Sequence, residues 1–599
     1  MIRVADFIVN FISDELKVKD VFMVSGGGIM HLTDALAQNR KINVICTHHE
    51  QTSSMALEAY SRATENFGVG FFTTGPGATN AVTGLVGAWQ DSVPSLFISG
   101  QTKRKETVYN SGIKDLRQFG VQEVNIIPII ESITKYGVML NKPEDVKYEL
   151  EKMVYIAKNG RPGPVWLDVP LDVQGYLIEP VNLRSFSPAE TAAIKTKPTE
   201  EELKRFAKLL RESKRPVIIA GQGIRIAKML DSFKGFIEKF NIPVINTYLG
   251  IDVLSSNHFL NLGPIGIKGA RAANLAVQNS DLVISIGSSL HVGVIGYEYD
   301  LFAREAKKIV IDIDRTAHLK KTLNIDLYIN SDAKEFIDAI KTSEVVKFDE
   351  TWVPNCAKWK ERYPVCLDDY AKLKEKVNIY YFVDRLSQIS DDDDIIVSDA
   401  GSAYYAVAQA IKIKSGQRYI TSGALATMGY TLPAAIGVAV ATKKRVIGIT
   451  GDGSFQFNIQ ELQTLVHYKL PVKLFVLNNE GYLSIRFTQE RFFEKRLIGE
   501  GPDSGVSFPD IQKIANAYGI KFFRIKKNDE LEDIIKKAFA YDGPVVCEIM
   551  TPRHQLIIPT VSSAKKEDGT MVSKPLEDMY PFLEREEFLS NMIIEPLKE

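Results

Sequence analysis

Asp452 and Asn479 are the side chains whose types and spacing most plainly suit shared chemistry. Asp452 stands in Gly451-Asp452-Gly453, and Asn478-Asn479 follows after 24 intervening residues. Val446–Thr450 reads as a buried parallel strand, and the glycines after it permit a sharp turn and close approach to a ligand. Val472–Leu477 reads as a second strand, and Ile459–Tyr468 between them has helical apolar spacing at Ile459, Leu462, Leu465 and Val466. One strand-helix-strand crossover then delivers Asp452 and Asn479 to the carboxyl edge of a sheet, where open α/β sheets bind ligands. Two oxygen ligands at that edge suit Mg²⁺, a hard cation that shares its oxygens with phosphate groups, and a backbone carbonyl near Gly481 would complete the protein's share. A turn that serves only the bend has no need of the paired asparagines.

A second carboxylate, Glu50, follows the short strand Val44–Cys46 in Thr47-His48-His49-Glu50-Gln51. Taken alone, it could simply cap the next helix.

The elements that must position these groups are those of an α/β chain. Apolar strands (Val21–Val24, Val44–Cys46, Val69–Phe72, Leu96–Ile98, Val165–Asp168) alternate with helical stretches in the first part, and the pattern returns at Val217–Ala220, Leu282–Ile286 and Ile309–Ile313. Three doubly wound parallel-sheet domains are expected, at 1–175, 195–342 and 377–555, separated by a Pro-, Ser- and Lys-containing linker and a charged connector. Residues 556–599 change character: Pro559, Pro575 and Pro581 interrupt a polar segment containing Lys565-Lys566-Glu567-Asp568-Gly569. Such a tail is either a disordered end or a flap laid over a site.

Composition narrows the function classes. The 599 residues are 45% hydrophobic and 25% charged, as in globular proteins, and 73 Lys+Arg against 74 Asp+Glu leave no broad basic surface for nucleic acid. Asp6 interrupts the first apolar run, against a signal peptide, and no apolar stretch approaches the roughly 18 residues that would span a membrane. Cys46, Cys356, Cys366 and Cys547 lie far apart and read as reduced thiols of a cytoplasmic protein.

Several segments resemble the acetolactate synthase-like branch of the thiamin diphosphate enzymes: His49-Glu50-Gln51, Glu58–Ala63, Thr74–Asn80, Asp91-Ser92-Val93-Pro94, Gly100-Gln101, Val121-Gln122-Glu123, Arg161–Val165, Thr427–Tyr430, Leu432–Gly437 and the Gly-Asp-Gly motif itself. The resemblance runs in order through about residues 1–555. It implies that Glu50 hydrogen-bonds the cofactor's aminopyrimidine ring and promotes deprotonation of the thiazolium C2 carbon, and that Met428 wedges under the cofactor and bends it. It places Ala426, Gly451, Gly453, Ser454 and Tyr482 against thiamin diphosphate, and Asp452, Asn479 and Gly481 on Mg²⁺. Gln122 and Lys135 match polar positions of the family's pocket, with Gly27 and Gly28 beside them. In the family Glu50 and the metal motif of one site come from two subunits, which implies a homodimer or homotetramer.

The sequence also departs from that pattern. Acetolactate synthases carry Phe-Asp-Asp-Arg-Val-Thr-Gly in the middle domain, and its arginine positions the acceptor's carboxylate; here Gly293 falls at the arginine's place, within Gly287–Gly296. A carboxylate acceptor would lose a charge-assisted contact worth roughly 1.5–3 kcal/mol. His291, the segment's only ionisable side chain, reads as structural, with a pocket role as the alternative. Gly263–Gly266 and Asp312-Ile313-Asp314 partly match the flavin contacts of flavin-containing members, but loss of the Asp-Asp-Arg part argues against bound FAD. After Asn479, Arg486 and Gln489 are expected to add hydrogen bonds near the reactive side of the cofactor, and with Gly501–Gly505 this stretch resembles family members of surface-polysaccharide synthesis.

The expected function is decarboxylation of a 2-keto acid, with pyruvate the first candidate, and transfer of the acyl unit to a carbonyl acceptor such as a nucleotide-linked keto sugar. The alternatives are an authentic acetolactate synthase and a catalytically silent homologue serving as a binding subunit. Lyase or hydrolase chemistry on a cyclic diketone is open within the same fold.

Overall fold

Short runs of Val, Ile, Leu and Phe, buried on both faces, build three sheets of six parallel strands each. The computed structural model describes residues 1–341, 344–565 and 571–597, with Ala564 and Lys565 described by backbone only. The first sheet contains β1 (Asp20–Met23), β2 (Asn43–Cys46), β3 (Gly68–Phe72), β4 (Ser95–Gln101), β5 (Tyr136–Met139) and β6 (Val165–Pro170), in the order β2-β1-β3-β4-β6-β5. The second contains β7 (Pro216–Ala220), β8 (Val244–Asn246), β9 (Asn261–Pro264), β10 (Leu282–Ile286), β11 (Lys307–Asp312) and β12 (Leu327–Asn330), ordered β9-β8-β7-β10-β11-β12. The third contains β13 (Ile395–Ser398), β14 (Arg418–Thr421), β15 (Val446–Gly451), β16 (Val472–Asn478), β17 (Lys521–Ile525) and β18 (Val545–Met550), ordered β14-β13-β15-β16-β18-β17. The first and third sheets therefore share one winding, and each reverses order beside its first strand, where such sheets open a binding crevice.

Helices α1 (Glu50–Thr64), α2 (Gly401–Ala410), α3 (Thr431–Thr442) and α4 (Leu483–Phe492) matter most for the site. Residues Thr431–Val440 of α3 are buried on every side, and α1 is buried from Thr52 to Arg62 although half of that stretch is polar. The two helices pack face to face and join the first unit to the third. Their approach is set by Gly437: a Cβ there would lie 2.1 Å from the Ala56 carbonyl oxygen.

Two expectations about local structure change. Ile459–Tyr468 is not one helix: a 3₁₀ turn (Gln456–Glu461) precedes an α-helix (Leu462–His467), with Asn458 at φ −135° and ψ 32°. The Asn458 amide is drawn away to Gln51 and to the Gly429 carbonyl, which pulls its backbone out of the helical ladder. The described part of the C-terminal segment is not a loose end. It packs on the central unit, where Gln278 donates to Glu577 (2.6 Å), Asn279 to the Asn591 carbonyl (3.0 Å) and Trp359 to the Asn591 side chain (2.9 Å). Residues 566–569 of the polar run lie outside the described residues. Among the described residues no helix is long and apolar enough to cross a membrane.

Replacing Gly437 by alanine should force α1 and α3 apart, at about 1–3 kcal/mol for an overpacked contact. Calorimetric scans are expected to show a lower Tm for Gly437→Ala; an unchanged scan would mean that the helices separate without cost.

Candidate active site

The third sheet brings the Gly-Asp-Gly and Asn-Asn pairs together as neighbouring strand ends, Gly451 opposite Leu477 in the β15–β16 register. Asp452, 2% exposed, accepts backbone N–H groups from Gly453 (2.8 Å, on Oδ1) and from Asn479 (3.2 Å) and Gly481 (3.1 Å, both on Oδ2). Burial pushes its carboxyl up to about 6, with the backbone N–H groups working the other way. Asn479 is equally buried, and its Oδ1 has no hydrogen-bond partner among the described residues. A buried carboxylate without a cation and a buried amide oxygen without a donor both cost free energy, and one bound cation relieves both. Among the described residues no cluster of three or more His, Cys, Asp or Glu side chains could hold a metal unaided. The donor set thus fits a hard cation that takes its remaining oxygens from a diphosphate and from a backbone carbonyl near Gly481.

Two glycines of this half, Gly453 and Gly481, are sterically crowded, whereas Gly451 is not. Gly481 sits at φ +148°, and a Cβ on it would lie 2.1 Å from the Glu500 carbonyl oxygen; a Cβ on Gly453 would meet the Tyr482 ring at 2.2 Å. Ser454 accepts the Gly429 N–H (2.7 Å) and donates to the fully buried Asp399 (2.5 Å). Met428, just before Gly429, is only half-buried, so it is not a plain core methionine. The turn before it carries Ala426 at φ +49°.

That Met428 loop is pinned from the first unit. Asp91 accepts the N–H groups of Gly423 (2.8 Å) and Ala424 (2.9 Å), and Arg62 bridges Asp91 (2.5 Å), Glu58 (2.6 Å) and the Thr421 carbonyl (2.9 Å). Tyr430 closes the cluster on Glu58. Reading the sequence assigned no role to Asp91, Asn458, Asp399 or Glu500, because each acts on groups distant in the chain. Their signal was weak: Asp399 follows a strand end, and Asp91 opens a matched motif.

The other half gathers at the carboxyl ends of β1 to β4. Glu50 is the first residue of α1, yet the cap belongs to His49, whose Nδ1 accepts the Gln51 N–H (3.0 Å). The Glu50 carboxylate is therefore not spent on the helix end; its Oε2 accepts from Asn80 (3.0 Å). Gly28 packs under Thr74, donating its N–H to Thr73 (3.2 Å), while Gly27 faces open space. Gln122, exposed and at φ +58°, is held against Gly75, where a Cβ would lie 2.2 Å from its carbonyl oxygen. Within the chain Asn458 ties the first unit to the third, donating to Gln51 (3.2 Å) and to the Gly429 carbonyl (2.8 Å).

Four expected pocket residues stand elsewhere or are already committed. Lys135 turns inward, its stem packed on Gly163 and its Nζ donating to the Asn159 carbonyl (2.5 Å); burial lowers its pKa to about 8. Arg486 is 0% exposed and does not face a substrate. It pairs with the fully buried Glu500 (2.5 Å) and donates to the carbonyls of Asn479 (3.3 Å), Glu480 (2.9 Å) and Arg553 (2.6 Å), bracing the metal turn from behind. Gln489 is spent on both backbone groups of Ile498 (3.0 and 2.9 Å). His291 caps the short helix Val292–Ile295 through Nδ1 (3.1 Å from the Gly293 N–H) and lines a cavity of roughly 400 Å³ shared by all three units, with Asp91, Arg161, Gln222, Asp312 and Tyr404. The groups weighed for a flavin are engaged internally: Asp314 with Arg161 (3.0 Å), Asp312 with the Asp314 N–H (2.8 Å), and Gly266 against the Gly293 carbonyl.

With this geometry in place, the comparisons with known proteins are specific. The N-terminal TPP binding domain of thiamine pyrophosphate enzymes matches residues 2–136, their central domain 203–340 and their C-terminal TPP binding domain 399–549. The acetolactate synthase large subunit of Lactococcus lactis subsp. lactis (strain IL1403) is 34% identical over 561 residues, covering 92% of this chain and 93% of that protein. That of Cyanidium caldarium is 32% identical over 566 residues, with 92% and 93% covered. Acetolactate synthase 2, chloroplastic, of Nicotiana tabacum is 32% identical over 575 residues, with 93% and 83% covered. The chain belongs to the thiamine pyrophosphate-dependent enzymes, in the acetolactate synthase-like branch.

Asp452→Ala should weaken thiamin diphosphate binding far more than it lowers Tm, because the carboxylate serves the cation that neutralises the diphosphate. Calorimetric titration of the purified variant with cofactor and Mg²⁺ measures this; unchanged affinity would reduce the motif to a turn.

Proposed function

We propose that this enzyme is a Mg²⁺-dependent carboligase that decarboxylates a 2-keto acid, with pyruvate the expected donor, and passes the acyl unit to a carbonyl acceptor that lacks a carboxylate, best matched by a nucleotide-linked keto sugar of surface-polysaccharide synthesis. Thiamin diphosphate, when bound, supplies the electron sink for loss of CO₂. The chain's own work is positional. Asp452 and Asn479 hold the cation on the diphosphate, the pinned Met428 loop presses on the cofactor, and Glu50 holds a proton at the aminopyrimidine ring. The two halves of a site come from two copies of the chain, a reading supported by exposed apolar side chains beside both: Val121 (83%) next to Gln122 and Phe457 (47%) next to Asn458.

The observation that carries the choice of acceptor is at Gly293. A Cβ there would lie 2.7 Å from the His291 ring, so the space that an arginine would need is filled by the imidazole. Lys135, Arg486 and Gln489 are spent on internal partners and supply no substitute. Desolvating a second keto acid's carboxylate would then lack the charge-assisted contact that the arginine makes. The second reading, acetolactate formation from two molecules of pyruvate, is favoured by relatives that bear that name across nearly the whole chain. A silent homologue is disfavoured by the retained Glu50, Asp452 and Asn479.

Product analysis by mass spectrometry, with saturating pyruvate alone and with added carbonyl sugars, separates these readings. Slow acetolactate formation and a clear gain with a sugar acceptor are expected. Acetolactate at an ordinary enzymatic rate of about 10 per second, with no gain from any sugar, would reject the proposal.

A further inference from the structure

Beside the segment that lacks the arginine lies a cation that nothing else in the site employs. Lys268 sits on the tight turn Gly266–Ala270, which is sewn to that segment: the Ile267 N–H donates to the Gly293 carbonyl (3.0 Å), and Gly266 is at φ +120° with no room for a Cβ. The turn is fixed on its other sides by the Tyr248 hydroxyl on the Lys268 carbonyl (2.9 Å), the Gly269 N–H on the Gly266 carbonyl (2.9 Å) and the Val561 N–H on the Ile267 carbonyl (2.7 Å). A rigid turn aims the side chain across the seam between the central and third units. Its Nζ lies 5.2 Å from the centroid of Tyr405 on α2.

Arg491, in the last turn of α4, faces the same seam. It donates to Ser562 Oγ (2.8 Å) and to the Ser563 carbonyl (2.5 Å). Among the described residues neither Lys268 nor Arg491 has a carboxylate within 4.0 Å. Lys268 is half-buried and Arg491 exposed, and the Lys268 pKa is lowered to about 8, first by burial and then by Arg491. The two cations, with no acid beside them among the described residues, repel one another, and an oxyanion between them removes that repulsion. Both flanking helices start at the cofactor site. α2 follows Asp399, the partner of Ser454, and α4 follows Tyr482, with Arg491 nine residues farther on, about 13 Å along the axis at 1.5 Å per residue. Helices α2 and α4 thus lead from the metal turn towards Tyr405 and Arg491.

We propose that Lys268 and Arg491 bind the phosphate oxygens of the acceptor substrate, fixing it in the seam between the central unit and helices α2 and α4. This rests on the carboligase reading above and adds to it the acceptor's charged group. Two cations match the double charge of a phosphate better than the single charge of a carboxylate. The phosphate could belong to a simple sugar phosphate or to a nucleotide-linked sugar.

The test uses the full chain loaded with thiamin diphosphate and Mg²⁺. Isothermal calorimetry with uridine diphosphate as probe gives Kd for wild type, Lys268→Met and Arg491→Gln. Each substitution is expected to weaken binding by about tenfold or more, as loss of one charge-assisted contact implies. Equal Kd values, or no binding to wild type, would overturn the proposal for nucleotide-linked acceptors. In parallel, kcat/KM with pyruvate as donor is compared for glyceraldehyde and glyceraldehyde 3-phosphate, and for a nucleotide-linked keto sugar. The phosphate preference should fall about tenfold or more in Lys268→Met; a preference that stays constant would overturn the proposal for sugar phosphates. An effect confined to acetolactate formation would reject both the phosphate assignment and the sugar acceptor. Absence of carboligation in wild type with every acceptor would refute the carboligase reading, while the calorimetric arm would still decide whether Lys268 holds a phosphate.

Discussion

A buried carboxylate surrounded by backbone N–H groups, with no cation beside it among the described residues, is the constraint around which the third unit is built. Burial raises the Asp452 carboxyl to about 6, a shift that a bound cation would oppose, and the buried Asn479 side-chain oxygen has no partner among the described residues. The surrounding structure holds that geometry open. Gly453 and Gly481 have no room for a side chain, and the Arg486–Glu500 pair fixes the carbonyls of the metal turn from a fully dry position. A buried ion pair of this kind contributes little net stability, and removing either partner typically costs about 3–5 kcal/mol, so its value here is in the shape it imposes.

The same logic extends across the boundary between units. The Met428 loop belongs to the third unit but takes its shape from Asp91, Arg62 and Glu58 of the first, through hydrogen bonds to Gly423, Ala424, the Thr421 carbonyl and Tyr430. Burial raises the Glu58 carboxyl, and Arg62 counters it. Cofactor geometry and inter-unit packing are thus one network: loosening α1 against α3 would also release the loop that meets the cofactor.

Much of this was legible in the chain. Central parallel strands are continuous apolar runs, so β3, β7, β10, β15 and β16 stood out, and the strand ends they define located Asp452 and Asn479. Edge and polar-bearing strands such as β5, β14 and β17 did not, because Tyr136, Arg418 and Lys521 interrupt the pattern. Helix α1 was opaque for a different reason: Thr52, Ser53, Glu58 and Arg62 are polar, and their burial depends in part on Asn458, Tyr430 and Thr421, hundreds of residues away. Arg486 was misread as a substrate contact because its partner, Glu500, follows an irregular loop that no periodicity marks. Lys268, on a five-residue turn, carries no pattern at all, and only the fold reveals that it stands beside Gly293.

The central claim is that Glu50 and the Asp452–Asn479 motif serve one bound cofactor. Hydrogen–deuterium exchange at thiamin diphosphate C2, followed by NMR in wild type and in Glu50→Gln, tests it most directly. An amide cannot stabilise a protonated pyrimidine nitrogen as a carboxylate does, so exchange should be strongly suppressed in the variant while the cofactor remains bound. Exchange at the wild-type rate in Glu50→Gln would contradict the account.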